Sequence, residues 1–256
     1  AGQSALLTCQ TTQTVLQGTA STGSQYTYQW STLDGIIFSG ATSLQPTVTA
    51  PGMYTLAVRD NSNGCFRTDS VQVNENLTPP AFTIASPGLL TCTSVQVQLS
   101  AQTPVAGGSY VWTTPDGNIL SGNTSATPVV NMPGTYITAL TDPFNGCISV
   151  DSISVGSNTQ APVISIQTPQ VLTCAFPMRT LTGSVSQPAG NFSVQWTTTG
   201  GTIENGINTL QPQVSDPGTY QMNVLDQTNG CNAFVSVVVA EDRSEERRVG
   251  KECLRL

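Results

Sequence analysis

The chain has 256 residues, 38% hydrophobic but only 9% charged, with 15 acidic and 8 basic residues, no histidine and 7 cysteines. Without His, the commonest general base and transition-metal ligand are missing, so Ser-His-Asp hydrolysis and His-containing zinc sites are excluded. Nucleic acid is excluded as a partner as well, because a net charge of -7 with three basic residues before position 243 cannot neutralise phosphates.

Self-similarity divides the chain into three copies of one module. L-T-C recurs at Cys9, Cys92 and Cys174 and N-G-C at Cys65, Cys147 and Cys231, a period of 82 to 84 residues. In chain order, copies two and three open with an extra strand ahead of L-T-C, A-F-T-I (Ala81 to Ile84) and P-V-I-S-I (Pro162 to Ile166), whereas copy one starts at Ala1 without it. Two readings stay open here: an excerpt from a longer array, or a groove in copy one that takes a strand from a neighbouring subunit. After L-T-C come turn-rich stretches at 18–24, 104–109 and 187–191, and all length variation inside a copy lies here, before the Trp. Next are a strand with Trp30, Trp112 or Trp196, a glycine turn at Gly40, Gly122 or Gly206, and P-G-x-Y ending in Tyr54, Tyr136 or Tyr220. Trp to Tyr is 24 residues and Tyr to the second Cys is 11 in every copy, so this part is locked in register.

Period-two alternation with β-branched and aromatic residues, as in Val95 to Leu99, Tyr54 to Val58 and Ser152 to Val155, marks strands, and no segment carries a helical repeat. Several short strands around one Trp predict an all-β fold of three tandem β-sandwich domains. The three Trp are expected to pin the cores and the three Tyr to act as corner tyrosines. D-N-S-N-G, D-P-F-N-G and D-Q-T-N-G, starting at Asp60, Asp142 and Asp226, read as hairpin turns in which Asn-Gly supplies positive φ. Calcium is the sharper reading of those Asp residues, but each turn has one carboxylate and no bidentate Glu. No metal and no cofactor is expected.

The two cysteines of a copy lie 55 to 57 positions apart, and the expected pairs are Cys9 with Cys65, Cys92 with Cys147, and Cys174 with Cys231. Zinc is disfavoured because C-x-x-C knuckles are missing and two ligands per copy are too few. Such bridges require an oxidising compartment, outside the cell or in a periplasm. N-E-N-L-T-P-P (Asn74 to Pro80) and G-S-N-T-Q-A-P (Gly156 to Pro162) are short, Pro-ended joints. The expected domains are 1–76 with its first strand missing, 77–158 and 159–240, in a rod on the order of 100 Å. No 18-residue apolar span is present.

Residues 241–256 belong to another regime, with five of the eight basic and five of the fifteen acidic residues. Arg243 to Cys253, R-S-E-E-R-R-V-G-K-E-C, resembles the in-frame translation of a short-read sequencing adaptor, although Leu254 to Leu256 depart from it. A non-native tail is the expectation, which leaves Cys253 out of the pairing; a charged tail helix is the alternative.

Over residues 1–240 the pattern L-T-C, W-T-T-x-D-G, P-G-x-Y-x-L-x-V-x-D, N-G-C, D-S-V resembles the Ig-like and PKD-like repeats of large surface proteins of gliding Gram-negative bacteria, commonly exported by type IX secretion. The third copy departs from it with Gly200-Gly201 for Asp-Gly and Val235-Ser236-Val237 for Asp-Ser-Val. The resemblance implies a cell-surface location and an O-glycan acceptor of the form Asp-Ser/Thr-apolar, which Asp69-Ser70-Val71 and Asp151-Ser152-Ile153 fit, so Ser70 and Ser152 are the candidate glycosites. An ordinary strand-edge Asp-Ser is the alternative. N-x-S/T sequons at Asn76, Asn123 and Asn191 are weaker candidates, near chance in so Asn-, Ser- and Thr-rich a chain. Lys is absent before residue 243, which excludes Lys-Asn isopeptide crosslinks. Taken together these features point away from an enzyme and toward a self-associating, glycosylated surface filament or adhesin stalk. A glycan-binding adhesin module and spacer domains of a larger secreted protein are the alternatives.

Overall fold

A computed structural model describes residues 3–187 and 190–242; the adaptor-like run, Cys253 and part of the 187–191 turn lie outside them. All regular structure among the described residues is β. In copy one the strands are β1 (Ala5–Thr8), β2 (Thr14–Val15), β3 (Tyr26–Thr32), β4 (Ile37–Ser39), β5 (Thr47–Val48), β6 (Gly52–Asp60) and β7 (Phe66–Asn76). They form two sheets, β1-β7-β6-β3 and β2-β5-β4. The alternation read from sequence delivers one face of each to the core, where Leu7, Leu16, Trp30, Val48, Tyr54, Leu56, Val71 and Val73 are buried together. Of the Val95 to Leu99 alternation only Val97–Gln98 forms a strand.

Copy two repeats the larger sheet with Ser109–Thr113, Gly134–Thr141 and Ile148–Val155, and copy three with Phe192–Thr199, Gly218–Asp226 and Asn232–Val239. The extra strands are present as Thr83–Ile84, paired antiparallel with Ala101–Gln102, and Val163–Ile166, paired with Gly183–Gln187. Among the described residues no strand pairs with the copy-one counterpart, 18–19.

The chain separates into two compact units, one of residues through 87 with 98–130 and 134–154, the other of 88–97, 131–133 and 155 onward. They do not follow the repeat boundaries: the L-T-C segment and the end of the last strand of copy two group with copy three. The cause lies in how L-T-C is held.

β1 pairs with β7 in parallel, Ala5 opposite Val73 and Thr8 opposite Asn76. Leu90 and Thr91 pair in parallel with Ser157 and Asn158, and Leu172 bridges Glu241 in parallel. The pairing of copy three thus runs two residues beyond 240, with the Asp242 amide donating to the Leu172 carbonyl at 2.9 Å.

Candidate functional site

Each L-T-C segment divides its labour by residue. The Leu side chains of Leu7, Leu90 and Leu172 are buried in the sandwich. The Thr hydroxyl then turns the chain: Thr8 Oγ1 accepts the Thr11 amide at 3.0 Å, and Thr91 Oγ1 accepts the Ser94 amide at 2.9 Å. This side-chain-to-backbone turn ends the strand and leaves the following cysteine projecting from the domain.

Parallel pairing decides where that cysteine can reach. Cys9 follows Thr8 at the far end of β7, beside Asn76, while Cys65 immediately precedes β7 at Phe66. Ten residues of strand separate the two ends, about 30 Å at the rise of a β-strand, whereas a disulfide requires Cα atoms within about 7 Å. The expected pairing within a copy is therefore wrong. Cys9 bonds Cys147 and Cys92 bonds Cys231, with Cα–Cα distances of 5.0 and 5.1 Å. The first cysteines of copies one and two are tied to the second cysteines of copies two and three, and Cys65, the second cysteine of copy one, is a free and exposed thiol. Cys174 is also in a disulfide.

The turns that receive these bridges are built alike. In each the Asp amide donates to the Cys carbonyl and the Gly amide donates back to the Asp carbonyl, all six bonds at 2.8 or 2.9 Å. Gly64, Gly146 and Gly230 take φ of 78°, 69° and 71°, which a side chain would strain, and among the described residues no other residue type has positive φ. The Asn carbonyl oxygen accepts the Cys amide, at 2.9 Å for Asn63 and Asn145 and 2.8 Å for Asn229. Asp142 and Asp226 accept the amides two residues on, and Asp60 accepts both the amide and the hydroxyl of Ser62. Those hydrogen bonds, the Ser62 hydroxyl first, hold the Asp60 carboxyl below its ordinary value. The carboxylates that suggested calcium are thus committed to backbone and hydroxyl donors of their own turns.

At two of the three turns a neighbour arrives. Asn145 Nδ2 donates to Asn76 Oδ1 at 3.1 Å and to the Thr78 carbonyl at 2.9 Å; Asn229 Nδ2 donates to Asn158 Oδ1 and the Gln160 carbonyl, both at 3.0 Å. The Asn145 carbonyl accepts the Gln10 amide at 3.4 Å, and the Asn229 carbonyl accepts the Cys92 amide at 3.1 Å. Asn145, Cys147, Asn229 and Cys231 are at most 2% exposed as a result. The same residues of copy one, Asn63 and Cys65, are exposed, and Asn63 Nδ2 turns back to Asp60 Oδ2 at 3.1 Å. The joint therefore consists of a disulfide, a saturated buried Asn and a backbone bond, of which sequence reasoning saw only the cysteines. Its overlooked signal was Asn-Gly directly before Cys in every copy, an amide side chain with more donors than a turn alone consumes.

The remaining singled-out residues are placed as follows. Trp30, Trp112 and Trp196 are at most 2% exposed, each indole N–H donating to a carbonyl thirteen residues on, those of Ser43, Ser125 and Thr209. Tyr54, Tyr136 and Tyr220 are fully buried; the Tyr54 hydroxyl donates to the Ala50 carbonyl at 2.7 Å and that of Tyr220 to the Asp216 carbonyl at 2.6 Å. Burial raises the Tyr220 phenol above its ordinary value. Gly35, Gly117 and Gly201 lie under these hydroxyls, where an added Cβ would fall 2.3 to 2.4 Å from the Tyr oxygen. That close approach explains why copy three keeps the second Gly when it loses the Asp. Ser70 and Ser152 are exposed on last strands, their amides held by Asp69 and Asp151 Oδ1. Asn123 and Asn191 are exposed, whereas Asn76 Oδ1 is taken up by the joint.

No family model matches the chain, and no curated protein matches it. Among solved structures it is similar to Drosophila N-cadherin EC1-3, at 11% identity over 95% of this chain and 98% of that one, with a TM-score of 0.27. It is also similar to the three N-terminal domains of the bacteriophage RB49 highly immunogenic outer capsid protein, at 11% identity over 91% and 99% of the chains, TM-score 0.35. The N-terminal four Ig domains of Dscam1 isoform 8.4 match at 14% identity over 94% and 71%, TM-score 0.26.

Proposed function

We propose that the chain is a structural segment of an extracellular surface filament or adhesin stalk, composed of three domains at 1–76, 77–158 and 159–240, and not an enzyme. One observation carries the reading: copies one and two are each bolted to the following copy by a disulfide from the first cysteine of one to the second cysteine of the next. A peptide linker by itself lets neighbouring domains swing. A second covalent tie, with a buried Asn that donates into the linker at both joints, removes that freedom. Such a joint resists bending and pulling, which a fibre needs and a catalyst does not. Each bridge closes 138 or 139 residues, so reduction would release about 5 kcal/mol of chain-entropy stabilisation per bond. That dependence fits only an oxidising location at or beyond the cell surface.

Ser70 and Ser152 are the glycan acceptors of this reading, since both are exposed and neither lies at a joint. The likeness of the repeats to surface proteins of gliding bacteria supports export by the route those proteins use. The experiment is electron microscopy of native material with peptide mapping: filaments with an axial repeat and modified Ser70 or Ser152 support the proposal. Monodisperse single molecules with bare serines would overturn it. A ligand-binding adhesin is favoured by one observation, an open face of copy one where Tyr26, Tyr28, Arg59 and Phe66 line a hollow of ≈ 740 Å³. Retention on a glycan array that Tyr28→Ala abolishes would support that second reading.

A further inference from the structure

We infer that the two bridges make the three copies a covalently redundant brace, in which three backbone lengths run in parallel between the bridge points and breaks in any two of them leave one molecule. It reaches beyond the filament reading, because it follows from which cysteines are joined and holds for a single chain.

A disulfide ties its two residues to one point. Cys9 and Cys147 form one such point and Cys92 and Cys231 the other, and in chain order the four alternate between the points, so the bridges cross. Three lengths of backbone therefore join the same two points: Cys9 to Cys92, Cys92 to Cys147, and Cys147 to Cys231, spanning 83, 55 and 84 residues. Cys9 and Cys147 lie in one compact unit and Cys92 and Cys231 in the other, so these lengths are also the covalent connections between the units. Bridges inside each copy would give the opposite topology, domains strung in series on single linkers.

Proteases cut preferentially where chain is exposed and without regular structure, and 77–79 and 159–161 are both. The two sites belong to different lengths. With both cut, a covalent path still runs from Cys9 to Cys147, back along copy two to Cys92, and across to Cys231. The cut ends also stay anchored. Asn145 holds Asn76 and the Thr78 carbonyl on one side of the first site, with Pro80 buried on the other. Asn229 holds Asn158 and the Gln160 carbonyl in the same way, with Pro162 buried beyond.

Tension meets the same arrangement. The shortest length sets the limit, so the two points can separate by 55 residues of extended chain, about 190 Å, against about 750 Å for the 222 residues from Cys9 to Cys231 unbridged. Reaching that span draws chain out of all three copies at once, whereas domains in series give way one at a time.

The test inserts a protease recognition sequence between Thr78 and Pro79, between Ala106 and Gly107, and between Gln160 and Ala161 of the full chain, singly and in combination. Denaturing electrophoresis after complete cleavage is compared with and without dithiothreitol. Every single and double cut should run as one species unreduced and as two or three fragments reduced, while the triple cut should part into two species even unreduced. Cys147→Ser, which opens one bridge, should part after the single cut at Thr78. Held in optical tweezers by its two ends, the molecule cut at both linkers should keep its tether at least tenfold longer than that variant cut once, and lose it on reduction. Thermolysin acting beside the exposed Leu77 of the unaltered chain provides the same comparison without an insertion. Fragments that part unreduced after one or two cuts would overturn the inference, as would a triple-cut molecule that stays whole. Either result leaves the filament reading standing, since that reading is decided by microscopy of native material.

Discussion

The turn at Asn63 to Cys65 and the turns at Asn145 to Cys147 and Asn229 to Cys231 share sequence, glycine conformation and internal hydrogen bonds, yet one is exposed and two are buried. The difference comes from what arrives, since the turn conformation is complete in all three. The Asp-x-x-Asn-Gly-Cys segment is therefore a preformed socket whose shape does not depend on occupancy. Its Asn carries one surplus amide group, used internally when empty and across the joint when filled.

Removing the bridge should separate the filled turns from the exposed one most widely. Cys147→Ser should lower unfolding free energy by about 2–5 kcal/mol, the range for loss of a native disulfide, while Cys65→Ser should change it by less than about 0.5 kcal/mol. Denaturant titration of both without reductant reads the contrast, and equal losses would show that the joints do not hold the fold. Gly230→Ala against Gly64→Ala comes next. Both strain a positive φ, at about 1 kcal/mol, but only Gly230→Ala drives a Cβ into Thr93, which adds about 1–3 kcal/mol of overpacking. Thermal melts should rank them in that order.

Asn145→Ala should cost about 2 kcal/mol, because it removes two bonds across the joint together with the one that holds the Cys147 amide. Asn63→Ala loses only bonds within an exposed turn, and native-state hydrogen exchange at the Cys147 and Cys65 amides would separate the cases. The smallest effect is on pH. Asp60 has a folded-state value below its ordinary 3.8, so its support of the turn is complete above that value and is lost as pH falls through the lower one. Protection of the Ser62 amide should hold at pH 5 and fade only below the ordinary carboxylate range, and Ser62→Ala should move that loss upward.

Much of the fold was legible because period-two alternation and constant Trp-to-Tyr and Tyr-to-Cys spacings encode local geometry that every copy must satisfy by itself. Trp30, Tyr54 and their counterparts could be singled out because each repeats at one strand position, and their spacings match the thirteen-residue reach of the indole bond. Cysteine connectivity was not legible in the same way. Residues 55 to 57 apart look like partners along the chain, but parallel pairing of β1 with β7 sends them to opposite ends of one strand. Direction of pairing between strands far apart in sequence leaves no mark on either strand's own pattern. The role of Asn145 was hidden for a related reason, since its second hydrogen-bonding partner lies 67 residues away in the preceding linker.

Composition by itself determined that this is a nearly uncharged, hydroxyl-rich all-β chain without histidine chemistry, and periodicity determined that it is one module written three times. Those are properties of single residues and of near neighbours, which sequence records directly. Only the tertiary structure decided that Cys9 and Cys92 staple their copies to the following ones and that Cys65 stands outside both bridges. Such a decision turns on where the ends of paired strands lie, and strand ends meet only in the folded molecule.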